Sequence, residues 1–158
     1  MRRMLLLVAL ASSSIGCSDS VSPSTRELQA AESRWRAQSL SHYTVETRVL
    51  CFCPAAMARW HEITVAGDSV IAARLVEPDA SPTDEPAPTA WFRSVEAAFA
   101  LARRWPDERR GNRVEAQFEA VSGLPTRLSF VTGPEIADGN ATYEYRALKP
   151  GLTARQVR

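Results

Sequence analysis

A chain of 158 residues, 45% hydrophobic and 23% charged, has the length and make-up of one soluble globular domain. Its formal charge is +1, and removing a leader that carries Arg2 and Arg3 leaves −1. So near-neutral a surface has no global electrostatic pull toward nucleic acid or anionic lipid, and nucleic-acid binding is not expected.

Residues 1–16 read as an export leader: Arg2 and Arg3 give the positive start, and MLLLVALA from Met4 to Ala11 is the apolar core. That core is far short of the roughly 20 apolar residues a membrane-spanning helix needs. Ser-Ser-Ser-Ile-Gly then runs up to Cys17, which resembles the lipobox of bacterial lipoproteins. The resemblance implies that the leader is cut before Cys17 and that Cys17 carries lipid. The alternative is an ordinary leader cut after a small residue, releasing a soluble protein. An odd cysteine count in an exported protein leaves one thiol to explain. Lipidation of Cys17 uses it and leaves Cys51 and Cys53 as a pair. Residues 17–23 are then a polar tether, residues 24–148 the domain and residues 149–158 a fraying tail.

The domain opens with a capping box, Ser24 to Glu27, ahead of a helix over residues 25–38 on which Leu28, Ala31 and Trp35 recur at helical spacing. Arg26, Arg34 and Arg36 around it read as a solvated face. The first strand follows from His42 and stops at Cys51-Phe-Cys53-Pro54. Tyr43, Val45, Thr47, Val49, Cys51 and Cys53 share one face, with Thr44, Glu46, Arg48 and Leu50 on the other. Two further strands, 59–66 and 69–76, flank the hairpin signal Gly67-Asp68. Residues 77–90 hold four of the ten prolines and no large apolar side chain, which predicts a loop.

Ser94 is the expected N-cap of a second helix with Val95, Ala98, Phe99, Ala102 and Trp105 on one face and Pro106 as its stop. Strands over 113–121, 126–132 and 141–148 close the chain. In the first of these Val114, Ala116, Phe118 and Ala120 point inward. The expected fold is α+β: a six-stranded antiparallel sheet in the order helix, three strands, helix, three strands, with the helices packed on one face.

The Trp35 and Tyr43 positions, the Cys51-Phe52-Cys53-Pro54 run, the Val65/Gly67/Val70 hairpin, the Ser94–Phe99 helix start, Gly123-Leu124-Pro125 and Asp138-Gly139 together resemble an uncharacterised bacterial family, domain of unknown function 6174. The resemblance implies one exported domain from about Trp35 to Leu148 and supplies no activity.

Chemistry in the residues themselves is confined to the cysteines. In a flat strand residues i and i+2 point the same way, with Cβ atoms too far apart for a relaxed disulfide. Bonding Cys51 to Cys53 therefore bends the chain at Phe52. In an oxidising compartment the pair reads as a small structural disulfide. A thiol–disulfide or redox-sensing role is the alternative, although redox motifs usually place two residues between the cysteines and open a helix. Two thiolates with His42 or His61 would be a metal set in number only, since neither histidine has ligand spacing. No hydrolase elbow or zinc-peptidase helix is present. Asp107-Glu108 beside Arg109-Arg110 reads as a solvated cluster, and the sequon Asn140-Ala-Thr142 as coincidence in a bacterial lipoprotein. The reading is a non-enzymatic envelope lipoprotein without cofactor or metal, held on the membrane through Cys17 and binding a protein or peptide through an open sheet face or the proline-rich loop.

Overall fold

The computed structural model describes residues 25–76, 85–136 and 138–151. Helix α1 (Thr25–Ala37) precedes strands β1 (His42–Cys51), β2 (His61–Ala66) and β3 (Ser69–Leu75). Helix α2 (Val95–Arg104) precedes β4 (Arg113–Phe118), β5 (Pro125–Val131) and β6 (Ala141–Pro150). Short 3-10 turns at Ala55–Ala58 and Thr89–Trp91 break the connections. The six strands form one sheet in the order β3-β2-β1-β6-β5-β4, every pairing antiparallel. The fold is α+β.

Periodicity decides which side of each element is buried. On β1 the alternate residues Tyr43, Val45, Thr47 and Val49 are buried. On α1 Leu28, Ala31, Glu32 and Trp35 are, and on α2 Val95, Ala98, Phe99 and Ala102. These apolar residues join Ile63, Val65, Leu128, Phe130 and Tyr145 in one core cluster. Ser94 caps α2 by accepting from the Ala97 N–H at 3.1 Å. Trp105 closes the helix just before Pro106, and its Nε1 donates to the Val131 carbonyl at 3.2 Å. Ser24, the predicted cap of α1, lies outside the described residues.

Several strand ends differ from the sequence pattern, and β2 begins at His61 rather than Arg59, leaving Trp60 in the connection before it. β1 stops at Cys51, because the chain bends at Phe52 and enters the 3-10 turn. β4 stops at Phe118 and Ala120 is exposed. There the Glu119 N–H bonds to the Leu124 carbonyl and the Gly123 N–H to the Glu119 carbonyl, which turns the chain early. β6 runs on through Lys149 and Pro150, two residues past the predicted end, because Thr44 pairs with Lys149 and Tyr43 with Pro150 across a bulge. Ala147 takes the left-handed conformation that this bulge needs, at φ 51°.

Candidate functional site

The cysteine tip comes first. The sulfurs of Cys51 and Cys53 are 1.93 Å apart, at bonding distance, and their Cα atoms are 5.2 Å apart. A flat strand would separate those Cα atoms by roughly 6.6 Å, so the segment folds back on itself. Phe52, between them, is 85% exposed. Cys17, the predicted lipid-bearing residue, lies outside the described residues.

The structure keeps the histidines away from these sulfurs. His42 begins β1 and Cys51 ends it, a separation of roughly 30 Å along an extended strand. His61 is wholly buried and both ring nitrogens are engaged. Its Nε2 accepts from the Ala87 N–H at 3.1 Å, so Nδ1 carries the proton and donates to the Arg59 carbonyl at 2.8 Å. Phe92 packs on the ring at 4.8 Å between centroids. His61 therefore fastens the far end of the proline-rich loop to the core. Among the described residues no group of three or more His, Cys, Asp or Glu side chains could hold a metal ion.

A second cluster joins three elements at the other end of β1. Glu96, in the first turn of α2, accepts from Trp35 Nε1 at 2.8 Å through Oε1 and from the Tyr43 hydroxyl at 2.7 Å through Oε2. The Tyr43 oxygen in turn accepts from the Val95 N–H at 3.0 Å. Trp35 and Tyr43 meet edge to face, centroids 5.4 Å apart. Burial, with Glu96 as acceptor next in size, pushes the Tyr43 phenol far above its ordinary pKa. Burial does the same to Tyr145. A groove of about 670 Å³ opens beside this cluster, lined by Trp35, Arg36, Asp68, Glu96 and Arg103 among others. Arg36 and Arg103 both pair with Glu32, which leaves Glu96 held by neutral donors. The sequence marks Glu96 only as a favourable first-turn charge; its partners lie 53 and 61 residues away.

The third feature is the sheet face away from the core. Every Arg, Lys and Glu of the six strands takes part in a ladder of pairs. Arg146 meets Glu46 at 2.7 Å, Arg48 and Arg127 meet Glu144 at 2.6 and 3.1 Å, and Arg113 meets Glu115 at 3.2 Å. Arg74 and Lys149 meet Glu62 at 2.6 and 2.8 Å. Those two donors hold the Glu62 carboxyl below the usual carboxylate range. Lys149 reaches this face because the β6 bulge reverses the alternation. Trp60 sits among the cations, with Arg146 3.8 Å and Arg48 4.7 Å from its ring centroid. Six cations against four carboxylates leave the face net positive. The sequence pattern puts Trp60 inside the strand 59–66, whereas it precedes β2 and meets Arg48 of β1 and Arg146 of β6 only in the folded sheet.

Residues 27–150 match a family of unknown function, DUF6174. The chain belongs to this family. The matched span runs from α1 to the last residue of β6, so the family's domain contains the cysteine tip, the Glu96 cluster and the charged face together. No curated protein and no solved structure matches the chain. Among the described residues no helix is long and apolar enough to cross a membrane.

Proposed function

We propose that this DUF6174 domain is an exported, lipid-anchored binding module of the bacterial cell envelope, without enzymatic activity, tethered through Cys17. The observation that carries the binding role is the charged sheet face, where Trp60 is flanked by the Arg48 and Arg146 guanidinium groups. A flat tryptophan with planar cations beside it is the composition of recognition surfaces. The net positive ladder favours an acidic protein or peptide partner. Of the two surfaces predicted to bind, the described end of the proline-rich loop is tied to His61 through Ala87, which favours the sheet face.

The test uses the processed chain as bait in envelope extract, beside a Trp60→Ala/Arg146→Glu variant. Capture of a partner that weakens with salt and disappears in the variant supports the reading. Equal capture by both proteins rejects the sheet face. A Cys17→Ser variant should leave the membrane fraction or accumulate uncut; unchanged processing and partitioning would sink the lipid anchor.

A second reading keeps Cys51 and Cys53 as a thiol–disulfide or redox-sensing pair, favoured by the exposed position of the tip around Phe52. A measured reduction potential below about −300 mV would place the pair with inert structural disulfides and reject this reading.

A further inference from the structure

We infer that residues 51–58 are a bilayer-docking tip that holds the anchored domain against the lipid surface. The stretch Cys-Phe-Cys-Pro-Ala-Ala-Met-Ala contains no charged side chain and none that forms strong hydrogen bonds. Phe52, Pro54, Ala55 and Ala58 are exposed in the fold. Such a run at a loop tip presents apolar surface to whatever lies beyond it. The Cys51–Cys53 contact folds the segment back, so that Phe52 projects from a short closed turn.

The fold also says where the membrane lies if Cys17 carries lipid, and the inference rests on that reading. Cys51 pairs with Ala141, Ala141 with Phe130, and Phe130 with Val114, a single row across the end of the sheet. Thr25, the first residue of α1, lines a groove with Arg113 and Val114 at that same end. Val114 lies three strand spacings, about 14 Å, from Cys51 along that row, and the chain enters beside it in the helix layer. Eight residues from Cys17 to Ser24 reach at most roughly 27 Å. The anchor and the tip thus address one surface. The domain is near-neutral, so the contact is apolar partitioning of an aromatic side chain into the interface rather than charge attraction.

Val121 supplies the control. It is 86% exposed, as open as Phe52, and lies beyond β4 at the opposite end of the sheet. Phe52→Trp and Val121→Trp variants of the chain from Cys17 onward are coupled through Cys17 to a maleimide lipid in phosphatidylcholine vesicles, with Cys51 and Cys53 oxidised. Among the described residues the core begins at Leu28. Brominated acyl chains should quench the fluorescence added at position 52 by roughly twofold or more over that added at position 121. Equal quenching, or none beyond the parent protein, overturns the inference; none is also the result expected if the tip serves a protein partner instead. The mass of Cys17 in protein taken from membranes separately reads the anchor. An unmodified Cys17 rejects the lipoprotein reading, whereas absent quenching on the coupled chain rejects the docking tip alone.

Discussion

Replacing Glu96 by alanine should be among the costliest single changes that leave the apolar core intact. It removes the acceptor of two donors, Trp35 Nε1 and the Tyr43 hydroxyl, on side chains only 2% and 1% exposed. A hydrogen bond to a charged group contributes about 1.5–3 kcal/mol, and a carboxylate in the first turn of a helix adds about 0.3–1 kcal/mol. The adjoining groove admits water to the vacated site, which returns part of the loss. The expected net destabilisation is about 2–3 kcal/mol, a large share of the roughly 5–15 kcal/mol that holds a domain folded. Urea unfolding followed by circular dichroism measures it, with the m-value showing whether the unfolded state has changed. Glu96→Gln, which keeps one good acceptor, should lose about half as much. In a double-mutant cycle, Tyr43→Phe should cost clearly less in the Glu96→Ala background than alone, because the shared bond is already gone. A loss under about 0.5 kcal/mol for Glu96→Ala, or strict additivity with Tyr43→Phe, would refute the cluster as a structural tie.

Gly123→Ala should destabilise by about 2 kcal/mol or more in the same assay, since φ there is 74° and a new Cβ would run into the Ala31 carbonyl oxygen and lie 3.0 Å from Trp35 N. Thr47→Val should stabilise by about 1 kcal/mol, because the Thr47 hydroxyl is buried without a hydrogen-bond partner among the described residues; a loss would reveal one. Tyr43 and Tyr145 have raised folded-state pKa values, so their contribution is fully present below the unfolded value near pH 10 and is lost as pH rises beyond it. Above that pH stability should fall by up to about 2.7 kcal/mol per pH unit, and Tyr43→Phe should halve the slope. A Cys51→Ser/Cys53→Ser variant should lose no more than about 1.5 kcal/mol, since the bridge closes only a three-residue loop. A much larger loss in thermal or urea unfolding would mean that the tip supports the core.

The elements were legible because burial leaves a period in the sequence. Alternation along β1 and the spacing of Val95, Ala98, Phe99 and Ala102 on α2 place one face of each element against the core. The Ser94 cap, the Gly67-Asp68 turn and the bend at Phe52 follow from local backbone chemistry, and the structure contains all three. Strand ends were less legible. Ala120 continues the alternating pattern, yet the chain turns before it, because the Glu119–Leu124 backbone bond depends on how β5 returns. Lys149 and Pro150 carry little pattern, yet β1 holds them in register.

What the sequence determined by itself is the inventory: two amphipathic helices, six strands, one pair of cysteines two residues apart, and the family to which they belong. Only the tertiary structure decided which distant residues share a site. It put Glu96 under Trp35 and Tyr43, engaged both nitrogens of His61, and placed Trp60 between Arg48 and Arg146. It also set the apolar tip at the end of the sheet where α1 begins. The physical reason is range. Helix caps, turns and periodicity act over a few residues, whereas these contacts exist only after strand register and one bulge have fixed which side chains face each other.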